Sequence, residues 1–384
     1  MNFPVASTFG ATVTRTRPLS ASQLVEPGGC WLRAILASEK YPTSLPAHPI
    51  AQLGTAVHAC LADATLIAKA KIGDTQPILD SIDGAMQKVL PACHRLRVYR
   101  DNVTYSQVVS RSVVDARVRM AVRLVLARAD AVSGGGGKSQ TRVREERKLV
   151  SDTLQLIGKP DRVVSRGDHC SIIDYKTGSI GEEGQIPEEI RAQLGAYALL
   201  AEEIGYTVQE LIVRHPDGDL RMEWTDDART SLRSSIERVL AMAPIGVKSD
   251  AGRLMRRGTG CTRCQFRRSC PAYLADLSRP EHNRTGPVAS GDVAGTVVAC
   301  RQVVERLHDI ELLTGGRHCI IENVPLTIEE VAFLDSYRGT MLAFGLRRVQ
   351  SGASDARTST ELYIVHRKRL WESAVTACVM LPPP

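Results

Sequence analysis

Gly158-Lys159-Pro160-Asp161, with Asp174-Tyr175-Lys176 after twelve intervening residues, decides the reading of this chain. Residues 142–150, 153–165 and 170–176 predict three successive strands, separated by Ser-Asp and Arg-Gly-Asp turns. Pro187 then opens a helix that runs to about Ile204 and stops at Gly205. Residues 207–214 predict a fourth strand and residues 226–243 a further helix. Strands that meander into a helix and back into a strand predict a mixed α/β or α+β sheet core with helices before and after it.

On a strand, Asp174 and Lys176 are i and i+2 and point to the same face. Asp161 lies on the preceding strand and can sit opposite them. Two carboxylates converging on one face repel each other unless a cation lies between them. Mg²⁺ or Mn²⁺ suits that position, being hard, oxygen-liganded and able to keep waters and phosphate oxygens. A lysine beside the ion can position the attacking water and stabilise charge on a phosphate. The chemistry implied is metal-assisted phosphodiester hydrolysis. An Asp-x-Lys pair alone is common on edge strands as a plain ion pair. Ile172 and Ile173 mark this strand as internal, where a buried Asp and Lys are costly without partners.

Outward from that core, composition narrows the class. The chain has 384 residues, 43% of them apolar and 24% charged, which excludes a wholly disordered protein and predicts two or three structural units. The net charge is +7, and residues 281–384 contribute 11 basic against 12 acidic residues, so the basic excess lies in the first 280. That excess is compatible with a polyanionic partner. Aromatic residues are only 4%, too few for many base-stacking platforms. No stretch is apolar enough for a membrane span, and residues 1–18 lack the pattern of a secretory signal, so a cytoplasmic protein is expected.

Residues 1–18 read as a flexible lead-in, and Ser20 as the cap of a helix. Residues 50–72 and 104–132 carry helical spacing, forming a helical insertion over about 50–132. Ser133-Gly134-Gly135-Gly136-Gly137-Lys138-Ser139 is a flexible linker: a phosphate loop needs glycine at position 132, which is Val132. Residues 281–295 read as a linker and 296–384 as an α/β extension of unassigned role, with a capping box at Thr327-Ile328-Glu329-Glu330.

Cys261, Cys264 and Cys270 form C-x2-C-x5-C. Ten cysteines in a cytoplasmic chain are not a disulfide framework, and three thiolates this close need a fourth ligand. No further Cys or His lies near them in sequence. Arg253, Arg256, Arg257, Arg263, Arg267 and Arg268 crowd the same stretch. They read either as the lining of a groove for a nucleic-acid backbone or as a solvated basic surface.

Gly158-Lys159-Pro160-Asp161 and Ile173-Asp174-Tyr175-Lys176-Thr177-Gly178 together resemble the PD-(D/E)XK nuclease superfamily. The resemblance is to the RecB/AddB-like exonuclease branch, which includes CRISPR-adaptation nucleases. Gly54-Thr55-Ala56-Val57-His58 is similar to that branch's upstream G-x-x-x-H element, whose His is a further metal ligand. Gln193-Leu194-Gly195-Ala196-Tyr197 resembles its Q-x-x-x-Y motif, and Glu146 the acidic residue before the first Asp. The resemblance implies a restriction-endonuclease-like mixed sheet over about residues 19–280. It implies Mg²⁺ or Mn²⁺ at His58, Asp161 and Asp174, with Lys176, Glu146, Gln193 and Tyr197 in the catalytic site. It also supplies Cys30 as the fourth thiolate of a [4Fe–4S] cluster joining positions some 230 residues apart. Zn²⁺ is the competing occupant, because four thiolates suit either. The activity implied is hydrolysis of DNA, on single-stranded ends, in repair, recombination or defence, with a helicase or other protein as partner. Two readings stand beside it: a nucleic-acid-binding subunit of a larger complex, and a metal-stapled interaction protein that never touches DNA.

Overall fold

A computed structural model describes residues 10–24, 29–41, 49–71, 73–87, 115–116, 118–126, 141–145, 147–176, 185–215, 218–279, 286–289, 291–305, 307–337, 339–344, 346–349, 361–364 and 378–380. The Gly-rich segment 133–139 lies outside the described residues, as do Glu146, Thr177 and Gly178.

Five strands form the central sheet: β1 (Thr141–Glu145), β2 (Arg162–Arg166), β3 (His169–Tyr175), β4 (Thr207–His215) and β5 (Gly218–Met222). They lie side by side in that order, and all pairs are antiparallel except β3–β4. A parallel neighbour needs a crossover, and helix α3 (Glu188–Glu203) supplies it. The apolar runs Ile172-Ile173 and Leu211-Ile212-Val213 have no polar alternation because both faces of the sheet are covered. Ile172, Leu211 and Val213 pack with α3, with α1 (Trp31–Ser38) and with α4 (Asp226–Met242). Ile173, Tyr175 and Ile212 pack on the other face with α2 (Pro49–Ala62) and the helices Ala64–Lys71 and Gln76–Gln87. The result is a helix–sheet–helix sandwich of mixed α/β class.

Three details differ from the sequence expectation. Residues 153–165 make two strands, because Pro160 lacks an amide hydrogen and the chain breaks between Leu156–Gly158 and β2. Leu156–Gly158 joins Leu19–Ser20 and Leu149–Ser151 in a separate three-stranded sheet. The expected helix at Ser20 is a single 3₁₀ turn over Ala21–Gln23, and the Ser20 side chain makes no capping bond. Within the expected lead-in, Thr12–Thr14 pairs with Lys248–Asp250, so residues from 12 on are tied down. Arg15 is fully buried there, donating from Nε to the carbonyl of Ala243 (2.7 Å) and from Nη2 to Gln155. A buried guanidinium needs such acceptors, and these bonds lock the N-terminal segment to the domain.

The C-terminal part builds its own antiparallel-rich sheet from β6 (Val293–Val304), β7 (Leu307–Thr314), β8 (Arg317–Pro325), β9 (Thr340–Ala343), β10 (Arg347–Val349), β11 (Glu361–Ile364) and β12 (Cys378–Met380). Their order is β10-β11-β8-β7-β6-β9-β12. Helix α6 (Ile328–Ser336) packs on it, and Thr327 and Glu330 close a capping box at its start. β6 begins inside the segment read as a linker, since Asp292 and Val293 are already buried. Tyr273, Leu274 and Leu277 of α5 (Pro271–Leu277) share a small core with Ala294, Leu342 and Phe344, so this sheet is docked onto the cysteine-rich segment. Among the described residues, no helix is long and apolar enough to cross a membrane.

Candidate active site

The edge of the central sheet where β3 ends gathers side chains from both helical layers. Asp161 follows Pro160 at the start of β2. Its Oδ2 accepts the backbone N–H of Tyr175 at 2.7 Å, which pins the carboxylate beside β3. Its Oδ1 lies 3.0 Å from Nδ1 of His58, delivered by α2 from one face of the sheet. Asp174 points to the opposite face, toward α3. Successive residues of a strand alternate faces, so the two aspartates meet at the sheet edge rather than on one surface.

Gln193 organises the α3 side. Its Nε2 donates to Asp174 Oδ1 (3.2 Å) and to Tyr197 Oη (2.9 Å), and its Oε1 accepts from Lys176 Nζ (3.1 Å). Lys176 Nζ lies 2.7 Å from Asp174 Oδ2. Gln193 and Tyr197 are one helical turn apart and share a face. Gly158 explains the glycine of the motif: a Cβ there would stand 2.9 Å from the Tyr197 ring and 2.8 Å from Leu200. The strand can approach α3 only without a side chain. This packing role was not read from the sequence, although the glycine ahead of Lys159-Pro160-Asp161 was its signal.

Burial pushes the Asp174 carboxyl up to about 6, against the pull of Lys176, and the Asp161 charge adds to the rise. Burial pulls the His58 imidazole down, but its bond to Asp161 and the two aspartate charges outweigh that and hold it above its ordinary value. Burial, followed by the Asp174 charge, keeps the Tyr197 phenol above its ordinary range, so it is a neutral hydrogen-bond partner. Asp174 Oδ2 is sealed from solvent and faces the Lys176 ammonium as its ion-pair partner. Two carboxylates and an imidazole are donors of the kind a hard divalent ion takes. Among the described residues, no three His, Cys, Asp or Glu side chains, the cysteines included, stand together as a group that could hold a metal ion. His58, Asp161 and Asp174 are the residues that would hold such an ion. Glu146 lies outside the described residues.

The four singled-out cysteines share a different place. Cys30 caps α1, Cys261 sits in the 3₁₀ turn Thr259–Arg263, Cys264 ends that turn, and Cys270 caps α5. All four line one cavity of about 640 Å³ at the start of α3, together with Arg33 and Met255. No disulfide joins them. Cys270 Sγ lies 3.6 Å from Met255 Sδ, and Cys261 Sγ is 3.9 Å from the Arg256 carbonyl. Burial pushes the Cys264 thiol up to about 11 and also raises Cys270. Four soft donors around one space fit a thiolate-bound metal group, which would reverse those shifts by holding the sulfurs deprotonated.

The arginines nearby are used differently from a phosphate groove. Arg267 donates to buried Asp292 at 2.7 Å, and Tyr273 Oη donates to the same carboxylate at 2.7 Å. Arg257 pairs with Asp276 (2.6 Å) and covers the Tyr273 ring. Arg268 lies over Phe344. Arg267 and Arg268 hold the C-terminal part to the cysteine-rich segment, Arg257 braces α5, and acids downstream take the charge of Arg257 and Arg267. Arg256 remains exposed at the cavity, and the Arg263 side chain lies outside the described residues.

A solved chain titled "Crystal structure of SSO0001" matches at 18% identity over 44% of this chain and 74% of its own, with a TM-score of 0.23. That score is too low to carry an argument. No curated protein matches. The profile of the PD-(D/E)XK nuclease superfamily matches residues 18–271. That range spans well over half of the length and contains the strand pair bearing Asp161 and Asp174, and the chain belongs to the PD-(D/E)XK nuclease superfamily.

Proposed function

We propose that this chain is a Mg²⁺- or Mn²⁺-dependent deoxyribonuclease of the RecB/AddB-like type that digests single-stranded DNA ends. The observation that carries the reading is two bonded groups at the end of β3: His58 with Asp161, and Asp174 with Lys176, Gln193 and Tyr197. Asp161, Asp174 and His58 would hold the divalent ion. When bound, that ion supplies Lewis-acid stabilisation of charge on the scissile phosphate.

The protein's own residues do the rest. Gln193 fixes Lys176 Nζ at the sheet edge. Lys176 orients the attacking water by hydrogen bonding and offsets negative charge as the phosphate becomes pentacoordinate. The Tyr175 amide holds Asp161 in its rotamer. Tyr197, neutral and buried, orients the Gln193 amide so that its carbonyl oxygen faces Lys176. The four cysteines would bind a [4Fe–4S] cluster as a structural staple, with Zn²⁺ as the alternative. A helicase or similar machine is the partner this type of chain would serve.

The test is anaerobic purification, iron and zinc analysis with a visible spectrum, and digestion of end-labelled single-stranded DNA with Mn²⁺ beside Asp174→Ala. Brown protein with cleavage lost only in the variant supports the reading. DNA binding without any cleavage would leave a binding subunit in its place.

A further inference from the structure

The segment of β4 beside the proposed ion site holds a guanidinium that the mechanism above does not use. Arg214 is in register with Tyr175 on β3, and its carbonyl accepts the Lys176 backbone N–H at 3.0 Å. The Tyr175 N–H, on the same residue pair, holds Asp161. Arg214 is therefore one strand spacing, about 4.8 Å, from the backbone that carries the site. Ile212, two residues earlier, faces the α2 core. Period-two alternation puts Arg214 on that same face, the side from which His58 arrives.

Its side chain is fixed. Nε lies 2.9 Å from Asp219 Oδ1 and Nη2 lies 2.7 Å from Asp219 Oδ2, across the β4–β5 register pair. The side chain stays 30% exposed. The bond to Asp219 holds the guanidinium above its ordinary value, with the neighbouring Tyr175 phenol adding to it. The Tyr175 hydroxyl is sealed from solvent and faces the guanidinium, which it helps to fix. A guanidinium can give one edge to a carboxylate and keep another for a phosphate.

We propose that Arg214, steadied by Asp219 and backed by Tyr175, is a phosphate anchor that binds the nucleic-acid backbone next to the phosphate cleaved at Asp161 and Asp174. This rests on the nuclease reading, and it adds a subsite that grips the strand without reading its bases. Arg221 supplies the internal contrast. It lies on the same hairpin and pairs with Glu210, but it is opposite Ile212, two residues further down the strand from the site.

The test compares wild type, Arg214→Gln, Arg214→Lys and Arg221→Gln in the full-length chain, with Mn²⁺ and end-labelled oligothymidylate. Two readouts are taken: kcat and KM, and binding of the same oligonucleotide by anisotropy over a salt series without metal. Arg214→Gln should raise KM about 10-fold, as loss of one charge-assisted contact predicts, with kcat within about threefold. Its log-log salt slope should flatten by about 0.7, the share of one phosphate on a single strand. Arg214→Lys should recover part of the affinity, and Arg221→Gln should match wild type in both readouts. If Arg214→Gln and Arg221→Gln behave alike in KM and in slope, the anchor is overturned while the nuclease stands. If wild type binds but never cleaves, the nuclease reading falls and the binding slope still decides the anchor. Failure of wild type to bind at all removes both. Should Arg214→Gln melt early, Arg214→Lys, which keeps the charge, carries the comparison.

Discussion

At the end of the central sheet, Asp161, Asp174 and Lys176 are each held by a named bond: to the Tyr175 amide, to Gln193, and to Gln193 again. In the cysteine cavity, Cys30, Cys261, Cys264 and Cys270 come from segments far apart in sequence and are joined to each other by no bond. The first site is held together by the protein's own hydrogen bonds and ion pair. The second is an open space of about 640 Å³ that packing alone keeps together. The difference separates two kinds of dependence. Loss of a group at the sheet edge should remove chemistry with little effect on folding. Loss of a thiol should weaken folding with little effect on chemistry per folded molecule.

The largest expected effect tests the first half of that contrast. Asp174→Asn keeps the shape of a buried side chain and the bond from Gln193, but it removes the charge facing Lys176. Cleavage should fall by ~10²–10³ or more, the scale of losing one fixed electrostatic group. Single-turnover digestion measures it. A variant within tenfold of wild type would detach Asp174 from the chemistry.

Next comes the thiol side. Cys264→Ser should remove the bound metal group and lower stability by about 2–5 kcal/mol, the scale of a lost staple closing a long loop. That is a melting shift of roughly 5–15 °C. Cys170→Ser, which alters a buried thiol outside the cavity, should leave metal content unchanged. Equal metal loss in both variants would mean that the cavity is not the binding place.

Asp292→Asn should cost about 2–3 kcal/mol, because it leaves Arg267 buried without its counter-charge. The docked sheet should loosen, and limited proteolysis should cut faster between residues 280 and 290. Cleavage of DNA should hold within about twofold. A fall as deep as that of Asp174→Asn would break the separation between the two regions.

Much of the sheet-edge site was legible because its pieces are local. Asp174 and Lys176 are two residues apart, Gln193 and Tyr197 one helical turn, and strand alternation fixes their direction. The same locality exposed the β3–α3–β4 crossover. What could not be read depended on distant partners. Six arginines in one stretch suggest a free basic surface, yet Arg257 and Arg267 are neutralised by Asp276, in α5, and Asp292, in the segment read as a linker. Nothing in Thr12-Val13-Thr14 announces a strand until its partner, Lys248–Asp250, is known. Arg214 was likewise hidden, because its value comes from the register with Tyr175 rather than from any motif.

The smallest effect sharpens the comparison from inside the helix that serves the sheet-edge site. Gly158 and Gly195 both touch the surroundings of α3 so closely that an added methyl would press on neighbours at 2.9 Å or less. At Gly158 the neighbours are the Tyr197 ring and Leu200; at Gly195 they are Trp224 and Leu232. Alanine at either position should therefore cost a similar ~1–3 kcal/mol of overpacking strain. Their chemistry should differ. Tyr197 accepts from the amide that directs Lys176, so a ring displaced by a methyl on Gly158 disturbs the lysine. Trp224 instead bonds Glu202, at the far end of α3, and has no link to the site. Gly158→Ala should lower kcat about three- to tenfold at a temperature where both variants are folded, and Gly195→Ala should leave it unchanged. If the two fall together, stability alone explains the loss, and Tyr197 is packing rather than part of the machinery.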